Sequence, residues 1–319
     1  MPPTASEPRA LRVGAMAWEA PDVLSLRLED PRGQPLPPWR AGAHIDLLFE
    51  GIGTAQYSLC GPRNADHWRI GVLHQPDGRG VSRHIHRHLR PGDRVMVDGP
   101  RNHFELAPAT GYLFIAGGIG ITPLLAMIDE AEVAGRHWRL AYGGRTSEGM
   151  AFRRELERHG SRVALYPQDE SGLMPVRALL AEAAPGTAVY CCGPEGLLQA
   201  VQSANAALDG ARAIHFERFS APAVSDTAAA PRPFTVTLAR SGITLSVGAG
   251  QSLADALDAR GVFVPTSCRE GVCGSCETRV LAGRVEHRDA LLSEEEKARN
   301  DTMMVCVSRA CDDRLTLDL

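Results

Sequence analysis

Four cysteines in the C-terminal part of the chain have the spacing of a metal-binding site. Cys268, Cys273 and Cys276 fall within nine residues, and Cys306 comes after 29 intervening residues. This spacing is typical of plant-type [2Fe–2S] clusters, in which four thiolates surround two irons. A structural zinc is the alternative, but zinc ribbons normally use two Cys-x2-Cys pairs, and one such pair occurs here. The pattern therefore favours iron–sulfur over zinc.

A glycine-rich loop in the middle of the chain could bind a phosphate. Gly117, Gly118 and Gly120 lie between an apolar run and a helical pattern, followed by Thr122 and Pro123. The backbone amides of such a loop, at the start of a helix, attract anions. The third glycine of the full dinucleotide fingerprint is missing, and no acidic residue follows at the expected distance. A tight turn needed only for packing is therefore the alternative.

A second anion site is predicted where Arg79, Gly80, Val81 and Ser82 begin a short helix. Unpaired amides and the positive end of the helix dipole favour a phosphate there, and Gly80 lets the backbone approach it closely. Ser82 is expected to be the N-cap and to add its hydroxyl. A capped helix after a turn, with no ligand, is the alternative.

The elements around these motifs divide into three groups. Between residues 11 and 107, short alternating runs separated by Gly and Pro turns predict an antiparallel barrel, with its first strand at Val23 and a helix from Ser82 to Leu89. From residue 112 to 219, alternating strands and helices predict a parallel sheet covered on both faces, with a helix near Ala151 to His159. Ligands of such sheets lie at the carboxyl ends of the strands.

The stretch from Ser220 to Pro233 is rich in small residues and proline, which predicts a linker. After it, an alternating hairpin and a short helix capped by Ser252 and supported by Asp255 predict a small α+β domain. Within the 319 residues, 44% hydrophobic and 23% charged side chains suit two or three globular domains.

Composition also excludes several partners. No run approaches the length of a membrane helix, and the first residues lack a secretory pattern, so we expect a cytoplasmic protein. A net charge of −4 without a basic tract argues against nucleic acid and against anionic membranes. Cys60 and Cys311 lie outside the metal spacing and are expected to be ordinary buried thiols.

Taken together, these motifs resemble the phthalate dioxygenase reductase family over nearly the whole chain. The resemblance implies a flavin-binding antiparallel β-barrel (residues 1–108), an α/β NAD-binding domain (109–219), a linker (220–232) and a β-grasp plant-type ferredoxin domain (233–319). It implies an oxidoreductase that moves electrons from NADH through flavin to the cluster, because hydride carries two electrons and the cluster accepts one.

The resemblance also assigns flavin contacts. The family's Arg-x-Tyr-Ser motif corresponds to Ala55, Gln56, Tyr57 and Ser58, so Tyr57 would pack on the flavin and Ser58 would bond near its reactive nitrogen. Ala55 replaces the arginine that binds the flavin phosphate, which leaves phosphate binding to the helix that begins near Gly80. The family usually binds FMN here, and FAD is the alternative.

For the nicotinamide, the family's Cys-Gly-Pro motif matches Cys192, Gly193 and Pro194. Cys192 would act by orienting the nicotinamide ring, and with Ser58 it is a candidate catalytic residue, although cysteines at strand ends are often plain core residues. Glu217 and Phe219 lie where the family places residues close to the flavin. Arg145 could meet a 2′-phosphate of NADPH, but the acidic residues near it favour NADH.

By resemblance, the electron acceptor is a Rieske-type terminal oxygenase. The C-terminal tail, with 13 acidic and 10 basic residues from Pro233 to Leu319, could offer it an acidic docking face. An FAD-containing reductase that serves a cytochrome P450 or a diiron monooxygenase is one alternative. A non-enzymatic iron–sulfur redox sensor is the other.

Overall fold

We describe residues 8–208, 212–220 and 232–319 in a computed structural model of the chain. They form two compact units, Met1–Glu217 and Arg218–Leu319. The predicted linker, residues 220–232, falls almost wholly outside the described residues. The boundary predicted between residues 108 and 109 lies inside the first unit and stays a prediction. No helix of the described residues is long and apolar enough to cross a membrane.

The first half of the first unit is an antiparallel sheet of six strands. Its elements are β1 (Arg9–Ala20), β2 (Val23–Glu29), β3 (Ala43–Phe49), β4 (Gly53–Ser58), β5 (Trp68–Leu73), α1 (Val81–His88) and β6 (Arg94–Asn102). The strand order is β4-β3-β6-β1-β2-β5. An antiparallel bridge between Leu59 and Ile70 joins the chain just after β4 to β5. This bridge closes the sheet into the predicted barrel.

Two local predictions for the barrel were wrong. Strand β1 was not predicted, because register shifts near Gly14 and Glu19 break the alternation by which a strand is recognised in sequence. Helix α1 begins at Val81 after Gly80, whose φ of 107° is left-handed, so Ser82 is not the N-cap. The Ser82 hydroxyl instead accepts a hydrogen bond from the backbone amide of Gln75 at 3.2 Å.

The second half of the first unit is a parallel sheet with helices. Its elements are β7 (Gly111–Gly117), α2 (Ile121–Val133), β8 (His137–Gly144), α3 (Arg153–Leu156), β9 (Val163–Pro167), α4 (Gln168–Ser171), α5 (Val176–Glu182), β10 (Thr187–Cys192), α6 (Glu195–Ala206) and β11 (Ile214–Glu217). The strand order is β11-β10-β7-β8-β9. The helix predicted from Ala151 to His159 is shorter than expected, because Phe152 has a left-handed φ of 61° and α3 starts after it.

Strand β7 lies at the centre of this sheet and is buried along its whole length. Tyr112 and Phe114 belong to a core that continues into the barrel, whereas Leu113 and Ile115 belong to a separate core that includes residues of α5 and α6. The sheet is therefore covered on both faces, as predicted. Because one apolar core runs through the barrel and one face of the sheet, the two halves are held as one unit.

The second unit is a small α+β fold. Its elements are β12 (Phe234–Leu238), β13 (Thr244–Val247), α7 (Leu253–Asp258), β14 (Glu277–Ala282), β15 (Val285–Glu286), α8 (Glu294–Arg299), β16 (Thr302–Met304), β17 (Arg309–Ala310) and β18 (Arg314–Leu317). The larger sheet has the order β13-β12-β18-β14-β16. The predicted cap of α7 is confirmed: the Ser252 hydroxyl oxygen accepts from the Asp255 amide at 3.0 Å.

Candidate functional site

Two glycine-containing loops meet at the carboxyl edge of the parallel sheet. One follows β7 and the other follows β10. A Cβ added at Gly120 would overlap the carbonyl of Cys192, and one added at Gly193 would lie 2.9 Å from Cα of Gly117. The two loops therefore pack backbone against backbone, and side chains at these positions would separate them. This is the close approach that the glycines of both motifs permit.

Gly118 leaves room for a ligand beside the first loop. Its φ is 55°, in the left-handed region, and an added Cβ would meet nothing within 4 Å. The loop thus leaves open space beside its backbone at the start of α2. Thr122 is 2% exposed, and its hydroxyl donates to the carbonyl of Ile119 at 2.9 Å, so this side chain shapes the loop. Pro123 is buried in the first turn of α2.

Three strand ends bring Ser58, Cys192 and Glu217 together. Ser58 ends β4 of the barrel and is 4% exposed, whereas Cys192 ends β10 and is fully buried. The Cys192 sulfur lies 3.9 Å from a carboxylate oxygen of Glu217, the last residue of β11. The Ser58 hydroxyl donates to the same carboxyl group. The two candidate catalytic residues, Ser58 and Cys192, therefore meet through a third residue.

The electrostatics of this group favour uncharged side chains. Burial raises the pKa of Glu217 to about 8, although the hydrogen bonds from Cys192 and Ser58 lower it. Burial also raises the pKa of Cys192 well above its ordinary value, and the nearby Glu217 charge raises it further. Near neutral pH, the group is therefore a carboxylic acid, a thiol and a hydroxyl.

Glu217 is a candidate site residue whose surroundings could not be predicted from sequence patterns alone. An acidic residue at the end of a short edge strand has no motif of its own. Its burial and its two partners become visible only when β4 and β10 are brought beside β11. Phe219, two residues later, is 42% exposed and belongs to the second unit, so its closeness to a flavin stays a prediction.

The barrel has a separate candidate ligand site, which lies where Arg79 and Gly80 lead into α1. Burial raises the pKa of Tyr57 above its usual range, and the positive charge of Arg79 acts on it in the opposite direction. The left-handed Gly80 follows Arg79 and turns the chain into α1. On β4, the side-chain nitrogen of Gln56 is buried and has no hydrogen-bond partner among the described residues. A polar ligand beside β4 would fit this unpaired donor.

The end of β8 lies next to the end of β9. Arg145 is exposed, and its carbonyl accepts a hydrogen bond from the Asp169 amide at 3.2 Å. Glu148 and Glu170 are also exposed in these loops. Arg145 therefore shares its surroundings with several carboxylates, which disfavour a further phosphate there.

In the second unit, the four cysteines of the metal spacing are free and buried. The Cys273 thiol is within hydrogen-bond distance of Cys268, and the Cys306 thiol is within that distance of both Cys268 and Cys276. Among the described residues, no three His, Cys, Asp or Glu side chains are already arranged around one metal ion. The donor chemistry of four adjoining thiols nevertheless suits iron.

The backbone of the cysteine loop is also shaped for sulfur ligands. Arg269, Gly271 and Gly274 all have left-handed φ angles, of 57°, 71° and 74°. Such turns direct successive amides inward, and the amide of Glu270 donates to the Cys268 sulfur at 3.3 Å. Amide donors of this kind stabilise thiolates and tune the potential of a cluster.

The two cysteines outside the spacing differ from one another. Cys60 is 1% exposed, and burial raises its pKa to about 12, so it is the inert core thiol that was predicted. Cys311 is only partly buried, because it lies in a turn where its amide bonds the carbonyl of Arg284. The prediction that Cys311 is buried was wrong.

The buried carboxyl group makes stability depend on pH. Glu217 has a pKa of about 8 in the fold and an ordinary value of 4.5, so between these values the folded state keeps a proton that the unfolded chain releases. The free energy of unfolding should therefore fall as pH rises through this window. We expect Glu217→Gln to make the free energy of unfolding depend less on pH. The measurement is urea unfolding of the first unit at several values between pH 5 and pH 8, the range in which the Glu217 carboxyl group titrates only in the folded state.

Tryptophan fluorescence reports this unfolding, because the four tryptophans of the chain all lie in the first unit. Glu157→Gln is the matched control, since Glu157 is exposed in the same unit. An unchanged slope in the Glu217 variant would show that its carboxyl is not the group responsible.

Two protein families match parts of this chain. Residues 114–203 match the family described as an oxidoreductase NAD-binding domain, and residues 236–311 match the 2Fe-2S iron-sulfur cluster binding domain. The phenoxybenzoate dioxygenase subunit beta of Ectopseudomonas oleovorans is 45% identical over 315 residues, covering 98% of each chain.

Two solved structures extend the comparison. The first is phthalate dioxygenase reductase, described as a modular structure for electron transfer from pyridine nucleotides to [2Fe–2S]; it is 35% identical, covers 98% of both chains and has a TM-score of 0.72. The second is an intact type IV self-sufficient cytochrome P450 monooxygenase, 44% identical with a TM-score of 0.89; it covers 98% of this chain, which spans 41% of that larger protein. The chain therefore belongs to the phthalate dioxygenase reductase family, the oxidoreductases that supply electrons to oxygenases, and it carries the NAD-binding and [2Fe–2S] domains of that family.

Proposed function

We propose that this protein takes electrons from NADH, carries them through bound FMN and a plant-type [2Fe–2S] cluster, and delivers them singly to a Rieske-type terminal oxygenase. When bound, the flavin supplies a carrier that accepts two electrons together and releases them one at a time. The observation that carries the proposal is the convergence of Ser58, Cys192 and Glu217, which joins the end of a barrel strand to the ends of two strands of the parallel sheet.

The three side chains orient the reactants and keep the site uncharged. Hydride transfer needs donor and acceptor atoms held close and aligned, and it needs no acid or base. The Ser58 hydroxyl and the Cys192 thiol are both held by Glu217, so they would keep fixed positions beside the two rings when the cofactors are bound. A protonated Glu217 places no negative charge beside an electron-rich ring, so it does not oppose reduction.

The flavin phosphate is assigned to the candidate ligand site at the start of α1. Arg79 supplies a positive charge, and the amides that follow Gly80 supply donors. Val81 is 3% exposed, so it contributes its backbone and not its side chain. The Ser82 oxygen already accepts from Gln75, and its O–H remains as a donor. A monophosphate suits this compact set, which supports FMN over FAD.

The nicotinamide dinucleotide is assigned to the two packed glycine loops, with its phosphates beside Gly118. Pro194 ends the second loop and starts α6, and its ring would touch a Cβ at Gly117. Asp169 and Glu148 near Arg145 favour the unphosphorylated ribose of NADH. The cluster ligands are assigned to Cys268, Cys273, Cys276 and Cys306.

Two classes of acceptor have support. Dioxygenase and demethylase systems among the relatives favour a Rieske-type oxygenase. The high structural similarity to a self-sufficient cytochrome P450 favours a haem monooxygenase as the second candidate. A cytoplasmic location is proposed because all eight cysteines are free, as a reducing compartment requires.

An anaerobic titration tests the whole proposal. We expect NADH to bleach the flavin and cluster absorbance at lower concentration than NADPH, and mass analysis of the extracted flavin to identify FMN. Electron delivery is then compared between a purified Rieske oxygenase and a P450. Zinc in place of iron, or spectra that do not respond to NADH, would contradict the proposal.

The missing motif arginine gives a further test. Ala55→Arg should restore a charge-assisted bond to the flavin phosphate, worth about 1.5–3 kcal/mol. The flavin dissociation constant, measured by fluorescence recovery on dilution, should fall by about 10- to 100-fold. Thr54→Arg adds the same charge one residue earlier, on the opposite face of β4, and should leave the constant unchanged. Equal effects in both variants would indicate a nonspecific attraction.

The packed loops give a third test. In Gly120→Ala, the added methyl group overlaps the Cys192 carbonyl and must push the loops apart. We expect the dissociation constant of NAD⁺ from calorimetry to rise by about tenfold or more. Gly196→Ala on α6 is the control, because its Cβ would meet nothing within 4 Å. Unaltered binding in the Gly120 variant would remove these loops from the nucleotide site.

A further inference from the structure

Arg69 on β5 reaches from the barrel to the α/β half of the first unit. Its two terminal nitrogens donate to the two carboxylate oxygens of Glu155 at 2.8 and 3.0 Å. One of them also donates to the carbonyl of Cys60 at 2.6 Å. The Arg69 and Glu155 side chains are 19% and 24% exposed. A bidentate pair with this much burial fixes both distance and angle, unlike a single contact between exposed charges.

Phe152 lies beside this pair in a strained conformation. Its ring centroid is 5.2 Å from the Arg69 guanidinium carbon, a cation–π distance. The residue is 1% exposed and has a φ of 61°, which is unusual for a bulky side chain. Such a backbone persists where the surrounding contacts dictate it. Arg69, which lies over the ring, is one of those contacts, and Glu155 in turn holds Arg69.

Phe152 and Thr122, which lies in the first turn of α2, face the same glycine, Gly71 of β5. A Cβ added at Gly71 would lie 2.8 Å from the Thr122 methyl and 3.2 Å from carbons of the Phe152 ring. Thr122 and Phe152 therefore both pack against the bare backbone of β5. Since the Thr122 hydroxyl bonds the carbonyl of Ile119, a shift of Phe152 or β5 would move the loop that leads into α2.

The same segment of β5 also contacts the end of β4, the strand that carries Ser58. Ile70, between Arg69 and Gly71, forms the antiparallel bridge with Leu59. Leu59 directly follows Ser58, whose hydroxyl bonds the Glu217 carboxyl. Three consecutive residues of β5 thus contact the strand end that carries Ser58 and the loop assigned to the nicotinamide nucleotide.

We propose that Arg69 and Glu155 are positioning residues for hydride transfer, which set the separation between the nicotinamide loop and the strand end that carries Ser58. This inference rests on the proposed function. Hydride transfer depends steeply on donor–acceptor geometry, and a displacement of about 1 Å can cost about 100-fold in rate. Binding of each cofactor depends on separate groups and should change little.

The test compares Glu155→Gln and Arg69→Lys with Glu130→Gln. Glu130 pairs with Arg63 at 3.1 Å, and this pair also joins the barrel to the α/β half, with side chains 29% and 31% exposed. The control therefore removes a second ion pair between the same two halves, which is a single contact and not a bidentate one. Flavin reduction by NADH is followed in single turnovers, and the dissociation constants of flavin and NAD⁺ are measured separately.

We expect the rate constant of flavin reduction to fall by about 10- to 100-fold in Glu155→Gln and Arg69→Lys, with both dissociation constants changed by less than about threefold. The absorbance band from nicotinamide–flavin stacking should weaken in parallel. In protein without cofactors, hydrogen exchange of the segment 117–122 should be faster in these two variants and unchanged in Glu130→Gln.

Two outcomes would overturn the inference. One is a reduction rate in Glu155→Gln equal to that of the parent, and the other is an equal loss in Glu130→Gln. Either result leaves the proposed function intact, provided that the parent protein is reduced by NADH. Failure of the parent to react would instead contradict the proposed function itself. Circular dichroism of each variant identifies any that fails to fold, and the inference is then judged on the other of the two variants, Glu155→Gln or Arg69→Lys.

Discussion

The first unit depends on the backbone contact between the two glycine loops at the edge of the parallel sheet. Gly120 lies against the Cys192 carbonyl and Gly193 against Gly117, so that two strand ends approach as closely as polypeptide backbones can. Beside this contact, Gly118 has open space next to its backbone. The Cys192 thiol reaches the Glu217 carboxyl group for a separate reason, because the two residues are paired in the neighbouring parallel strands β10 and β11. Backbone packing on one side of β10 and strand pairing on the other together shape the site.

Burial then controls the charge at this edge. A carboxylate without a cationic partner is costly inside a protein, and the proton that Glu217 retains removes this cost. Elsewhere in the unit, a carboxyl group has a cationic partner instead of a retained proton: Arg69 donates two hydrogen bonds to the Glu155 carboxylate and balances its charge. Two carboxyl groups therefore have different roles because one is paired with a cation and the other with a thiol and a hydroxyl.

Sequence patterns predicted the three architectures because each has a strong periodic or spacing signal. Alternation marks most barrel strands, strand–helix alternation marks the parallel sheet, and the cysteine spacing marks the second unit. The features that were not predicted correctly have physical causes. Bulges hid β1, a left-handed Gly80 took the place of the expected Ser82 cap, and a left-handed Phe152 shortened α3. Contacts between distant residues, such as those of Glu217 with Ser58, have no local signal and require the fold.

The loop that carries three of the cysteines depends on residues far from it in sequence. A Cβ at Gly271 would lie 2.6 Å from a methyl group of Val307 and 3.0 Å from Cα of Asp289, and the Gly271 carbonyl accepts from the Ala290 amide at 3.0 Å. The nine-residue segment is therefore not a portable motif. Grafting it onto another scaffold would transfer its ligands without the surface that holds its backbone in shape, and a successful transplant would need to carry the segments around residues 289 and 307 as well.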